Sequence, residues 1–475
     1  MVAGRILLGA VVSALWPAVA LAQTPAPAAV PTTPGDGRSD LESRLRALEE
    51  SNQRLREEIE DIKQDHKFTE GKVGILQGRT RVSGYIDVGA FHVEGNGSGI
   101  RPDVGNIHFP QYANAIPGGS WVFMGDVLAT AINSRGDIPD TGGSRAIQFN
   151  PIANGGAASF IINTATVFLS QGIGDDVLVN VGVDFLPRGR NISDSAGVDL
   201  GDYIDAKLAY AEWRVPTRGW DLSLFAGKFD SVLGIEYRTQ ESTDRIGIAP
   251  SLICRYTCGH PVGLKARAQF FEQRLGVAVE VIDGSNQVEY FPFYDEVDPH
   301  DMKTVAGRLS YKFPIAGQGL ELGVSGSYGP QALQVSNSIA QWHFGADAKL
   351  EYKDLDVRAE WVTGKAEGKT SPTMEAQGIE CDQVPCLRYM GAYGQIGYRL
   401  TNWLMPYVRV DGRDALHQNG ANFIYVSQLV RATPGVRMEF GPAVIVKAEY
   451  TIIHELGPIP QFPDNVATSS LVVKY

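Results

Sequence analysis

The chain has 475 residues and a formal net charge of −12, which excludes a nucleic-acid partner, because a phosphate-binding surface needs an excess of Lys and Arg. Its 53 Gly, 18 Tyr and 19 Phe and mean hydropathy of −0.11 fit neither an aromatic-poor disordered chain nor an overtly hydrophobic helical membrane protein. Beyond Ala22 there is no apolar run of about 18 residues, so any part that enters a membrane must do so as a closed barrel, since lipid satisfies no backbone hydrogen bonds.

Residues 1–22 read as a signal peptide. Arg5 supplies a basic start, Ile6 to Val19 an apolar stretch, and Ala20-Leu21-Ala22 a small-x-small cleavage site before Gln23. No Cys stands at that site, so no lipid anchor is expected. Residues 23–38 form a Pro/Ala/Thr-rich linker with little capacity to pack.

The period then changes over residues 39–68. Leu41, Leu45, Leu48, Asn52, Leu55, Ile59 and Ile62 alternate steps of four and three, the seam of a short α-helical coiled coil. Glu42, Arg44, Glu49, Arg56, Glu58 and Lys63 flank it, and Asn52 occupies an a position, where it sets register and stoichiometry. A parallel oligomer follows: a homotrimer through barrel and coil is the expected assembly, with a dimer as the alternative. A single amphipathic helix lying on the barrel is the competing reading.

From about residue 80 to 475 the period is two. Trp342, Phe344, Ala346, Ala348, Leu350 and Tyr352 form one face, and His343, Gly345, Asp347, Lys349 and Glu351 the other. Leu264 to Phe270, Val177 to Phe185, Leu355 to Trp361 and Val444 to Tyr450 alternate in the same way. A soluble sandwich also alternates, but here the apolar face is often closed at its ends by Trp or Tyr, and the polar face carries both signs at mid-strand. A headgroup belt and a wet lumen call for that pattern. Tight junctions (Pro216–Gly219, Phe271–Arg274, Pro314–Gly319, Lys353-Asp354) alternate with long polar stretches (95–118, 284–302, 364–385). With about ten residues per strand, the region accommodates an all-β, antiparallel transmembrane barrel of about 16 strands, with 18 as the next even number. Such a barrel is too wide for its own side chains to fill.

Four cysteines form two local pairs, Cys254 with Cys258 and Cys381 with Cys386. In an exported chain the expectation is two loop disulfides, each stabilising by roughly 2 kcal/mol because the loops closed are short. Free thiols or a Cys/His metal site are the alternatives, but His260 is the only nearby imidazole and a site needs three or four ligands. No metal and no cofactor is expected.

On the alternating strands the polar face carries Lys265, Arg267, Arg308, Lys349, Arg358, Arg399, Arg409 and Lys447 against Asp347, Glu360, Asp411, Glu449 and further acids. The near balance of signs predicts weak ion selectivity. Ordinary solvation or cross-strand pairing is the competing role for each of these residues. The candidate constriction is the turn-rich segment Ser231 to His260, with Glu236, Arg238, Glu241, Asp244, Arg245 and Arg255, the alternative being an outward surface loop. Opposed signs across a narrow gap orient dipolar solutes.

The final stretch, Leu471-Val472-Val473-Lys474-Tyr475, alternates and ends on an aromatic, and so looks like the terminal strand by which outer-membrane barrels are recognised. Ala226-Gly227-Lys228-Phe229-Asp230, Gly234-Ile235-Glu236-Tyr237, Pro250-Ser251-Leu252 and Gly263 together resemble a segment of the β-barrel porin-2 class and, less closely, the phosphate-selective porins, whose members often carry a similar heptad segment. The resemblance implies a Gram-negative outer-membrane pore for small hydrophilic solutes or ions, set in outer-membrane lipid, with its N-terminal segment in the periplasm. Lacking a run of lumen lysines, the chain departs from the phosphate-selective pattern. Other readings are a structural anchor whose coil holds the cell wall, and a solute-specific channel for phosphate or another anion. There is no G-x-S-x-G elbow, Walker loop or H-E-x-x-H, so no enzyme is expected.

Overall fold

The computed structural model describes residues 80–94, 101–103, 121–124, 130–137, 157–185, 204–287, 301–315, 318–331, 338–377, 381–419, 423–457, 459, 461 and 463–475. The signal segment, the linker and the heptads lie outside the described residues. Two compact units are distinguished, Arg81–Ser170 with Val179–Tyr475, and a second of which Thr80 and Gln171–Leu178 are described. In the second, the Thr80 hydroxyl donates to the Gln171 side chain.

The strands are β1 (Thr80–Val93), β2 (Arg101–Asp103), β3 (Trp121–Met124), β4 (Ser159–Ile173), β5 (Val177–Phe185), β6 (Ile204–Val215), β7 (Asp221–Lys228), β8 (Val262–Phe270), β9 (Leu275–Ile282), β10 (Thr304–Ile315), β11 (Gln318–Pro330), β12 (Ala340–Tyr352), β13 (Leu355–Ala366), β14 (Cys386–Tyr398), β15 (Leu404–Asn419), β16 (Phe423–Phe440), β17 (Val444–Glu455) and β18 (Val466–Lys474). Leaving aside the short β2 and β3, each pairs with the next in an antiparallel meander. β1 then pairs with β18, from Tyr85↔Lys474 to Val93↔Val466, which closes a barrel of sixteen strands. Closure gives each of these sixteen strands a partner on both sides, as a bilayer interior requires. The two short strands pair with each other, and β3 runs parallel to the start of β16.

Connections differ in length between the two ends as the turn signals predict, the three-residue link from β15 to β16 excepted. Tight turns at 216–220, 271–274, 353–354 and 441–443 lie at one end, and the long connections 229–261, 283–303 and 367–385 at the other. The tight turns need left-handed backbone, supplied by Gly219 and Gly441 and also by Phe271, Glu272, Gln273 and Lys353, all at positive φ.

Burial runs opposite to that of a soluble protein. On β11, Leu322 and Val324 are 43% and 46% exposed, whereas their neighbours Glu321 and Ser325 are each 5% exposed. The same inversion recurs on β10, β12, β15, β17 and β18, so the apolar face is the outer one and needs lipid as its solvent. Aromatics gather at both ends of this face. Trp220 stacks on Phe270 at 5.2 Å, Trp403 on Phe440 at 6.0 Å, and Tyr311 meets Phe313 at 4.7 Å near the tight turns. Near the long connections, Tyr328 stands opposite Trp342, with Phe344 beside them, all exposed. A headgroup belt has this arrangement.

Candidate functional site

The stretch 229–261, which joins β7 to β8, is the longest described connection and contacts strands around the whole ring. Tyr85 and Asp87 on β1 meet Glu241 and Ser242 at 2.8 and 2.6 Å. Lys207 on β6 meets Glu241 at 2.7 Å, Arg238 reaches Glu321 on β11 at 3.1 Å, and Tyr256 stacks on Tyr389 of β14 at 3.7 Å. Leu252 Nα donates to Asp411 on β15, and Ile248 and Ala249 Nα donate to Glu449 on β17. From outside a closed cylinder a segment reaches only neighbouring strands, so this one lies inside.

Local sequence sets its course. Gly234 takes φ +69 because a β-carbon there would collide with the Glu360 carboxylate. A 3-10 turn at Glu236–Thr239 and a helical turn at Cys254–Thr257 follow. The apolar run from Ile246 onward then packs on the wall: Ile246 with Met405 and Tyr407, Leu252 with Phe91, Val93 and Ile453, and Ile253 with Val362, Leu387 and Tyr393.

Little of this segment is regular, so its buried N–H and C=O groups need partners from elsewhere. Charged wall residues supply them. Carboxylates accept the amides: Glu360 those of Ile235 and Glu236 (2.6 and 2.5 Å), and Glu449 those of Ile248 and Ala249 (2.8 Å each). Cations serve the carbonyls. Arg409 donates to Ala249 O (2.7 Å), Arg431 to Pro250 O (2.6 Å), and Arg437 to Arg245 O and Thr243 O (2.7 and 2.8 Å). Lys447 Nζ donates to three carbonyls, of Ser242, Arg245 and Gly247, at 2.7, 2.6 and 2.9 Å.

The six segment residues singled out from sequence divide into two groups. Glu236, Arg245 and Arg255 are buried. Glu236 ties the segment to itself, accepting from Ser251 Nα and Oγ and pairing with Arg245 at 3.4 Å, while the Arg255 guanidinium lies 6.0 Å from the Tyr256 ring centre. Arg238 and Asp244 are exposed and Glu241 half-buried, so within 238–244 these side chains meet solvent although Ser242 between them is buried.

The wall residues also take distinct roles. Lys265 donates to Asp230 O at 2.7 Å and lies over the Phe229 and Phe225 rings, and Arg267 approaches Glu212 at 3.8 Å. Arg308 binds Asp347 at 3.1 Å through Nε and Glu321 at 2.9 Å through Nη2. Lys349 pairs with Glu351 at 2.7 Å. Arg358 forks onto Asp356 through two bonds of 2.9 Å and reaches Thr239 at 3.2 Å. Asp411 binds Arg431 at 2.9 Å through Oδ1. Arg399 departs from expectation, because β14 ends at Tyr398 and the residue sits in the following turn, near Glu439 at 3.7 Å.

Sequence reading missed Asp87, Lys207, Arg431, Arg437 and Arg413, whose guanidinium lies 5.5 Å from the Tyr256 ring centre. For β16 the signal was present, since Val430, Ala432, Pro434, Val436 and Met438 alternate with Arg431, Thr433, Gly435 and Arg437. Both disulfides form as paired from sequence. The Glu236 carboxylate and the sulfurs of Cys254 and Cys258 lie within 4.8 Å of one another, but the sulfurs are bonded to each other and offer no thiolate to a metal.

No family model matches the chain and no curated relative is found. Solved structures that resemble it are outer-membrane proteins. The outer membrane channel DcaP of Acinetobacter baumannii is 10% identical with a TM-score of 0.49, over 84% of this chain and 97% of that one. OmpF of Salmonella typhi in complex with daunomycin is 10% identical with a TM-score of 0.48, over 84% and 98%. A loop-deletion mutant of OmpT, an outer membrane protein of Vibrio cholerae, is 9% identical with a TM-score of 0.46, over 84% and 99%.

Proposed function

We propose that this protein is an outer-membrane channel for passive diffusion of small hydrophilic solutes and ions, narrowed by the segment 229–261. The observation that carries the reading is a closed sixteen-strand barrel, apolar outside and polar within, crossed on the inside by a segment on which Arg238 and Asp244 remain exposed. A barrel of this strand number encloses more space than its own side chains fill. Along this stretch Arg238 and Asp244 are exposed and of opposite sign, and opposite signs beside the path orient dipolar solutes. In the same reading, residues 1–22 direct export, the heptads of 39–68 join a homotrimer on the periplasmic side, and the outer face meets outer-membrane lipid.

Planar-bilayer recording of purified, signal-processed protein tests this. Stepwise conductance is expected, with Arg238→Ala shifting the reversal potential in a salt gradient toward cations and Asp244→Ala shifting it toward anions. Absence of steps from protein folded as β-sheet would refute the channel. Steps with unchanged selectivity in both variants would remove 238–244 from the constriction.

A further inference from the structure

The bridge between Cys254 and Cys258 is buried between the inner segment and the barrel wall. The two cysteines are 6% and 2% exposed, and Arg255, Tyr256 and Thr257 between them are no more open. Ile253 and Tyr256 on either side of Cys254 pack against Val362, Ala366, Leu387, Tyr389 and Tyr393 of the barrel wall. The opposite side is covered by the rest of the segment, with the Glu236 carboxylate within 4.8 Å of both sulfurs. Disulfide formation proceeds by attack of a thiolate on the oxidant's disulfide, through a mixed disulfide that the second thiol resolves. The oxidant must therefore touch one of these sulfurs, and in the closed barrel wall and segment exclude it.

We infer that Cys254 and Cys258 are oxidised before the barrel closes, so that the sixteen strands assemble around a segment already cross-linked. The reaction is thiol–disulfide exchange: Cys254 and Cys258 together lose two electrons and two protons, one S–S bond forms between them, and the S–S bond of a disulfide-bearing oxidant breaks to give two thiols. The second bridge provides an internal comparison. Cys381, 4% exposed, and Cys386, the first residue of β14, close a turn at the end of the connection 367–385; Cys386 is half-buried and Lys369, Pro372 and Thr373 are exposed, so this bond is open to exchange through the Cys386 sulfur after folding. The ordering holds whether or not the barrel conducts.

The test uses the full mature chain, unfolded with reductant and then refolded into detergent micelles with all four thiols free. Barrel closure is followed by heat-modifiable migration, glutathione disulfide is added, and the remaining thiols are tagged with maleimide and located by peptide mass. The Cys381–Cys386 bond is expected to form, while Cys254–Cys258 closes at least ~100-fold more slowly than in the unfolded chain, because exchange there waits for an opening of the structure. Failure of the reduced chain to form a barrel that the oxidised chain forms supports the same order. Closure of both bonds at rates within a few-fold overturns it. The reverse experiment covers a chain that folds poorly when reduced: phosphine treatment of the oxidised, folded barrel should open Cys381–Cys386 first, and simultaneous reduction of both would refute the enclosure.

Discussion

Replacing Lys447 with Met removes a cation from the barrel wall while keeping most of its apolar stem. In the native barrel Nζ lies 2.7, 2.6 and 2.9 Å from the carbonyl oxygens of Ser242, Arg245 and Gly247. Hydrogen bonds to a charged group contribute about 1.5–3 kcal/mol each net of desolvation, and three that share one ammonium sum to less than three separate ones, so a loss of about 3 kcal/mol is expected, falling on the contact between segment and wall because β17 keeps its ladders to β16 and β18. A loss of that size raises the population of the detached segment by roughly 150-fold. Hydrogen exchange read by mass spectrometry checks this: peptides covering 242–249 should exchange about two orders of magnitude faster, with those from β15 and β18 unchanged. Unaltered exchange at Ile248 and Ala249 would refute the claim that wall cations hold the segment. Uniformly faster exchange across all strands would refute its being a local effect.

Gly234→Ala places a methyl against Glu360 at a positive φ and should cost about 2 kcal/mol; a double-mutant cycle with Glu360→Ala should recover part of that in urea unfolding, and strict additivity would sink the steric argument. Tyr256→Leu loses the 3.7 Å stack on Tyr389 and should lower stability by about 2 kcal/mol, seen as a reduced melting temperature; an unchanged melting point would show the stack to be dispensable. In the connection outside the membrane, the Ser371 hydroxyl and amide donate to Asp382 at 2.7 and 2.6 Å and hold its carboxyl below the ordinary 3.8. A depressed folded value means that the contribution is fully present above pH 3.8 and lost as pH falls through the lower folded value. Protection of the Ser371 amide should therefore drop in acid, and Asp382→Asn should abolish that pH dependence.

The barrel wall was legible because its determinants are local. A lipid-facing side chain and a lumen-facing one alternate along every strand, so Trp342 to Tyr352 declares its two faces without reference to any neighbour. Turn chemistry is equally local, as the tight turn at Lys353-Asp354 shows, and so is the pairing of cysteines four and five residues apart. Total length and hairpin rhythm then bounded the strand number, and sixteen strands close the ring.

The course of 229–261 was not legible, because nothing in that stretch distinguishes a loop that folds inward from one that lies outside. Its partners are Asp87, Lys207, Glu360, Asp411 and Glu449, spread over much of the chain and brought together only when β1 meets β18. The same closure decides which charges stay available to solvent. In sequence Arg245 and Arg238 look alike, but one is buried beside Glu236 and the other stands at the exposed rim. By itself the sequence determined the alternation, the turns and the cysteine pairs, since neighbouring residues suffice for these. The tertiary structure decided the path of the inner segment and the division between structural and solvent-facing charge, because both depend on contacts that exist only across the interior of a closed cylinder.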